Sequence, residues 1–332
     1  MGREEHSAMQ DAAQAKPSIL VVGSINMDLV IRVPRMPQPG ESLMGETCHY
    51  ISGGKGANQA VAAARLGATV TLAGKIGKDA NGMKLREYLD AQGVSTRCVV
   101  SDVTSQTGLA VITLDAAGQN SIVVFPGANM DIQKAELEPA FAAARYDAVM
   151  LQLEVSPEIV IASCAMARAA GIPVVLDAGP AQAFPLKRVP GIAILSPNET
   201  ETLALTGLEV RTLDDAARAA SILLARSGAR AVVLKLSEKG ALLRTAAGVS
   251  EHFPAQRVEV VDTTAAGDAF TAAMTIRYLQ TNDLREAIAY GNLAGALAVT
   301  RLGAQPSLPT TGEVDAFQSR VRATQGNNVR TS

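Results

Sequence analysis

The chain predicts an α/β fold built on a doubly wound, mostly parallel sheet, and three observations carry that expectation. Short apolar runs alternate with helix-patterned segments for most of the length. Strands that are apolar throughout belong in a parallel sheet covered by helices on both faces, because a strand with one wet face would alternate. Two segments, 29–51 and 107–125, do alternate and have no helix between their strands, which predicts a small antiparallel sheet beside the main one. With 48% apolar residues in 332, there is enough material for a substantial core.

Taken in order, residues 1–16 are polar and alanine-rich, and charges at Arg3, Glu4, Glu5, Asp11 and Lys16 interrupt any apolar stretch, so a disordered tail is expected rather than a signal peptide. A single domain is expected over 17–320, followed by a flexible tail over 321–332. Residues 19–22 read as the first strand. The stretch 52–58 (SGGKGAN) opens a helix over 59–66 that stops at Gly67. Further on come a strand at 149–151, a helix at 157–170, strands at 174–177 and 192–195, helices at 199–205 and 216–226, and a strand at 232–235. Residues 260–268 (VVDTTAAGD) have a strand-like lead-in and run into a helix at 269–280. In such a domain ligands bind outside the carboxyl ends of the strands, and a small sheet over that edge acts as a lid.

Composition excludes several classes. The formal charge is −2, from 30 basic and 32 acidic residues, with no basic run to suggest a nucleic-acid groove. No stretch approaches the roughly 20 apolar residues that span a bilayer. Cys48, Cys98 and Cys164 are odd in number and form no CxxC pair, which points to a reduced, cytoplasmic chain.

Two motifs carry chemistry. Small residues on a turn before Asp268 leave the backbone N–H groups of Ala265, Ala266 and Gly267 without helical partners, in the positive potential of a helix N-terminus, which favours phosphate. A carboxylate there serves a hydroxyl that must lose a proton beside that phosphate. A plain helix N-cap would use similar residue types. In the earlier motif, Gly53, Gly54 and Gly56 allow close backbone approach, while Lys55 and Asn58 offer a cation and an amide. A tight turn with a solvated lysine is the alternative. Gly56 stands where a Walker loop needs Ser or Thr, and residues 23–27 lack the glycine spacing of a dinucleotide fingerprint. A nicotinamide-dependent oxidoreductase is therefore disfavoured.

Together these motifs resemble the signatures of the ribokinase-like (PfkB) sugar kinases, with a likeness running over 19–317. Residues 23–28 (GSINMD), 151–154 (LQLE) and 304–307 (AQPS) are in the style of the family's ribose-phosphorylating branch. The resemblance implies ATP-dependent phosphorylation of D-ribose to D-ribose 5-phosphate. Another sugar or nucleoside (2-deoxyribose, fructose, ketodeoxygluconate) remains an alternative acceptor, and a non-catalytic sugar or nucleotide sensor a more distant reading.

By the same resemblance Asp268 is the base and Ala265 to Gly267 form an anion hole. Asn26, Asp28, Gly54, Lys55, Asn58 and Glu154 hold the sugar, with Met27, Gly56 and Ala57 in the same segments. Ionised carboxylates suit vicinal hydroxyls, although Asp28 also reads as a strand-end acid and Glu154 as a helix-start acid. Met27 reads most simply as outward-facing; the other reading is a pocket suited to 2-deoxyribose. Asn198 meets the nucleotide phosphates and Glu201 acts on hydrated magnesium, where the bland reading is a helix cap followed by first-turn acids. The loop Lys235, Leu236, Ser237, Glu238, Lys239 and Gly240 lies along the ATP with Gly267 and Asp268, although Lys235 and Ser237 depart from the family's Thr and Gly. Asn292 edges the adenine pocket. Asp262, Thr264, Ala298, Arg301, Gly303 and Ser307 match a potassium site. The lid implies a homodimer, in keeping with an apolar face at Leu29, Ile31, Val33 and Val111.

Overall fold

The computed structural model describes residues 16–330. In chain order the elements are β1 (Ser18–Val22), β2 (Asn26–Arg32), β3 (Thr47–Gly53), α1 (Lys55–Arg65), β4 (Thr69–Gly77), α2 (Ala80–Ala91), β5 (Val94–Asp102), β6 (Gly108–Leu114), β7 (Asn120–Phe125), α3 (Lys134–Ala142), β8 (Ala148–Leu151), α4 (Pro157–Ala169), β9 (Val174–Asp177), β10 (Ile192–Ser196), α5 (Glu199–Thr206), α6 (Leu213–Ser227), β11 (Ala231–Lys235), β12 (Ala241–Thr245), β13 (Ser250–Phe253), α7 (Ala266–Thr281), α8 (Leu284–Ala298), α9 (Ala304–Ser307) and α10 (Thr311–Arg330).

Nine strands form the main sheet in the order β13-β12-β11-β10-β9-β8-β1-β4-β5, parallel from β5 to β11 and antiparallel at the β12 and β13 edge. Alternate residues of β1 enter the cores on its two faces. Ile19 and Val21 pack with α1, α7 and α8, whereas Leu20 and Val22 pack with α4 and α6. An apolar strand with no polar face is thereby buried twice over.

The chain builds from β1 outward to β4 and β5, then returns to add β8 on the other side of β1. That reversal is a topological switch point, and the crevice beyond the carboxyl ends of β1 and β8 is where such sheets bind ligands.

A second sheet, ordered β3-β2-β6-β7, stands over that edge. It is two antiparallel hairpin-like pairs joined through a parallel β2–β6 pairing, so its centre departs from the antiparallel expectation. Residues 33–46 are not a strand, because Pro34, Pro37 and Pro39 remove ladder donors. The apolar surface also lies elsewhere than expected. Val33 is buried, and Leu29, Ile31 and Val111 are half-buried; the exposed apolar residues are Tyr50 and residues 122–125 of β7.

Over 321–330, where a flexible tail is expected, the chain is helical. α10 extends to Arg330, with Glu313 bonded to Thr310 N–H and hydroxyl at its start and Phe317 and Val321 packed on the core. The tail expected over 1–16 lies outside the described residues except for Lys16. Among the described residues the three cysteines are free, and no helix is long and apolar enough to cross a membrane.

Candidate active site

The site is assembled from strand ends. β1 hands over to Ser24 and Asn26, β8 to Gln152 and Glu154, β9 ends at Asp177, β10 leads to Asn198, and β11 ends at Lys235. Across the switch point, Ser24 Oγ donates to Glu154 Oε2, which also accepts from Lys55 N–H at 2.9 Å.

The glycine-rich segment is mostly helix rather than loop. α1 begins at Lys55, capped by Gly54 at φ 88°, a conformation that only glycine adopts without strain. Gly56 lies against the backbone of Gly23 and Ser24, where an added Cβ would meet atoms at 2.6 Å. Gly56 and Ala57 are thus packed against the β1–β2 turn, and the close approach they allow is between backbones. Met27 is buried in the core, correcting the outward-facing reading: strand alternation turns it away from Asn26 and Asp28.

Asp268, in the first turn of α7, is 4% exposed; its Oδ2 accepts from Asn58 Nδ2 and its Oδ1 from Gln59 Nε2, each at 3.0 Å. Burial pushes its carboxyl above the usual range, against the pull of the Lys55 ammonium. Lys55 in turn, despite the cost of burial, is held firmly protonated by the Asp268, Asp177, Glu154 and Glu201 carboxylates. Asp28 is pushed up to about 7 by burial and by the charges of Glu154 and Asp268.

The start of α7 resolves the two readings of the second motif. Ala265 holds φ 60°, costly for a residue with a Cβ, and no side chain caps the helix. The side-chain N-cap is therefore not what these residues make. Of the three N–H groups expected to be open, that of Ala266 donates to Thr263 carbonyl at 3.3 Å. The lead-in at Val260 and Val261 is exposed coil, not strand, tied to Val299 carbonyl by the N–H groups of Val261 and Asp262.

This helix start opens onto a cavity of about 700 Å³ whose lining includes Asn198, Glu201, Lys235, Gly240, Gly267 and Asn292. Ser237 and Glu238 also line it. Leu236 is buried in the core and Lys239 bonds Arg211 carbonyl, so neither reaches the cavity as expected. Asn198 does cap α5: its side chain accepts from Glu201 N–H at 2.8 Å, and Glu201 Oε2 accepts from Asn198 N–H at 2.7 Å. The cap and the cavity wall are the same residues. Burial raises Glu201, opposed by Lys235. Asn292 is fixed at the far rim by the carbonyls of Phe253 and Pro254.

The cation-site positions come together in part. Asp262 accepts from Thr264 N–H and hydroxyl and from Gly303 N–H at 2.8 Å; Ser307 bonds Ala304 carbonyl, and Arg301 is paired with Glu313. Among the described residues there is no group of three or more His, Cys, Asp or Glu side chains suited to a metal ion.

Sequence reasoning missed Asp177, Gln59, Gln152, Thr271 and Asn129. Asp177 is buried and accepts from Lys235 Nζ and Thr271 Oγ1, both at 2.9 Å; against the cost of burial, Lys235 and Lys55 hold it below the usual carboxylate range. Asn129 donates to Asn26 Oδ1 at 2.7 Å and so fixes it. An Asp at the end of an otherwise apolar strand was a usable signal. Gln152 lies within the segment 151–154 and Gln59 directly after 52–58, so both stood beside recognised motifs, while Thr271 and Asn129 lie in ordinary helix or loop sequence and give no signal.

Both signatures converge on one cleft, and a family model described as pfkB family carbohydrate kinase matches residues 16–311. The chain belongs to the pfkB family of carbohydrate kinases. It is 37% identical over 303 residues to a ribokinase of Haemophilus influenzae, covering 91% of this chain and 98% of that one. A deoxyribokinase of Salmonella typhimurium is 34% identical with the same coverage. Among solved structures, Arabidopsis thaliana ribokinase complexed with ribose and ATP aligns with a TM-score of 0.84 at 34% identity, over 91% of this chain and 98% of that chain.

Proposed function

We propose that this protein transfers the γ-phosphoryl group of ATP to D-ribose, giving D-ribose 5-phosphate. The observation that carries the reading is Asp268: one buried carboxylate lies between the sugar-side amide of Asn58 and the start of α7, which faces the large cavity. Asp28, Glu154, Asn26 and Asn58 offer the sugar a polar cage, and the Oδ1 atom of Asn58, buried without a partner, is an acceptor waiting for a hydroxyl. Asp268 takes the proton of the attacking hydroxyl, and its raised pKa brings it nearer to neutrality, where a general base works best. The N–H groups at the start of α7 stabilise charge on the phosphoryl oxygens.

Glu201 is the residue we assign to hydrated magnesium, which would neutralise phosphate charge; one carboxylate at a phosphate site suits that ion. We assign potassium to the positions around Asp262, Thr264, Gly303 and Ser307, two segments joined by the Gly303 N–H on Asp262. The exposed residues 122–125 of β7 support a homodimer through the small sheet. Unpaired cysteines accord with a cytoplasmic setting.

The test is ATP consumption with ribose, 2-deoxyribose, fructose, ketodeoxygluconate and nucleosides side by side. Ribose is expected to give the highest kcat/KM; a clear advantage for another acceptor would move the assignment within the family, and no turnover with any would favour a sensor.

A further inference from the structure

Gln59 directly follows the glycine-rich segment 52–58 and has no part in the proposed sugar cage. It is fully buried on α1, one residue past Asn58, and its amide sits between two carboxylates. Nε2 donates to Asp268 Oδ1 at 3.0 Å and to Asp177 Oδ2 at 3.1 Å, while Oε1 accepts from Gln152 Nε2 at 2.6 Å. A primary amide has two donors on one atom and an acceptor on the other, so these contacts fix its orientation. Flipped, it would set Oε1 against two carboxylates and its own N–H₂ against that of Gln152. Gln152 fits there because Gly23 has no side chain, a Cβ at Gly23 falling 2.1 Å from its Oε1, an atom buried without a hydrogen-bond partner of its own.

We propose that Gln59 is the positioning residue of the base, aiming the Asp268 carboxylate at the acceptor hydroxyl and separating it from the second buried carboxylate, Asp177. This rests on Asp268 being the base. Two acids within hydrogen-bond reach of one nitrogen repel each other when both are ionised. One N–H to each charged form offsets that repulsion. The charged groups facing Asp268 are Lys55 on α1, Asp177 on β9 and Asp28 on β2, and Asp177 is itself paired with Lys235 on β11. Without Gln59, the carboxylate keeps only the Asn58 bond and is free to turn, and its charged form loses a donor.

The experiment compares Gln59→Met and Gln152→Leu with the parent enzyme. Two readouts are used: the pH dependence of kcat/KM, and titration of the Asp268 carboxyl carbon followed by ¹³C NMR, which needs no turnover. In Gln59→Met kcat should fall on the order of 10²-fold, as misplacement of about 1 Å can cause. KM for ATP and for the sugar should hold, and the acid limb and the NMR titration should both move to higher pH. Gln152→Leu, which only unlocks the amide, should move both in the same direction by less. A parental kcat, or a lowered kcat with both titrations unmoved, would overturn the proposal, since a purely structural loss leaves the base's ionisation where it was. Should Gln59→Met fail to fold, Gln152→Leu decides by the same two readouts. If the parent turns over no acceptor, the kinase reading fails while the NMR titration still decides whether Gln59 sets the ionisation of Asp268.

Discussion

The two sheets of this protein bury their strands in opposite ways. Every residue of β8 is buried, whereas all six residues of β7 are exposed, although each strand carries four apolar residues. The main sheet is fixed by cores on both faces and carries Asp177 at a strand end, with Asp268 on the helix packed against it. The small sheet contributes Asn26 and Asp28 at its root and is only partly packed further out. On the proposed function, the carboxylate that takes the proton sits on the doubly packed side, and the small sheet that would enclose the sugar has less to lose by moving.

The sharpest test of that division is Asp268→Asn, which should lower kcat by roughly 10²- to 10⁴-fold while ATP binding, measured calorimetrically, stays near the parent's. Near-normal turnover would remove the main-sheet side from the chemistry. Next in size, Leu151→Ala in the middle of the main sheet should cost about 2–5 kcal/mol of stability in denaturant titration, because the cavity left in a doubly covered core cannot collapse.

On the small-sheet side, Asp28→Ala should raise KM for ribose by an amount equivalent to about 1.5–3 kcal/mol, with KM for ATP little changed. Loss of ATP affinity instead would put Asp28 on the wrong side of the cleft. Asp28 also makes a pH prediction. Burial and the neighbouring carboxylates push it up from 3.8 to about 7 on folding, so between those values the folded state holds a proton that the unfolded chain has lost. This group's contribution to stability therefore falls as pH rises from about 4 to about 7 and then levels off. The ionised form is the better sugar acceptor, so KM for ribose should rise as pH drops through 7. A KM flat from pH 6 to 8 would count against Asp28 as a sugar ligand.

A milder effect is expected from monovalent salt. Rates should be higher in potassium than in sodium or a bulky organic cation at equal ionic strength, and Asp262→Ala should erase the difference, because an occupied site would hold the loop carrying the open N–H groups. Equal rates in all three salts would remove the cation site alone. The smallest change is expected at Val123→Ser on β7, within about 0.5 kcal/mol of the parent by thermal unfolding. If sedimentation shows that the same variant dissociates a dimer, the exposed strand is an interface; a cost comparable to Leu151→Ala would erase the contrast between the sheets.

Much of the scaffold could be read from residue pattern. The apolar runs at 19–22, 149–151, 174–177, 192–195 and 232–235 are all strands of the main sheet, since no other arrangement buries a strand with two apolar faces. The motif before Asp268 marked a helix start without a side-chain cap, because glycine and alanine there offer none. Less was legible where one residue type serves two environments. Leu236 lies in a loop that otherwise lines the cavity, and nothing in KLSEKG says that it turns into the core. The apolar pattern of β7 spoke of a sheet face without saying whether another element covers it. Loose composition near the C-terminus hid a helix that Thr310 and Glu313 start and the core holds.

The sequence by itself determined the class of sheet, most of the main-sheet strands and the two signatures, because each rests on local chemistry: periodicity, turn residues, and an acid beside small residues at a helix start. Only the tertiary structure decided which groups meet. Gln59 lies 93 positions before Gln152, 118 before Asp177 and 209 before Asp268, and their meeting depends on α1, β8, β9 and α7 all closing on one switch point. Hydrogen bonds between residues so far apart leave no periodicity in the chain. The charge states follow from the same closure: two acids bonded to one amide shift in opposite directions, Asp177 down beside Lys235 and Asp268 up in its burial, because folding gives each a different balance of solvent and countercharge.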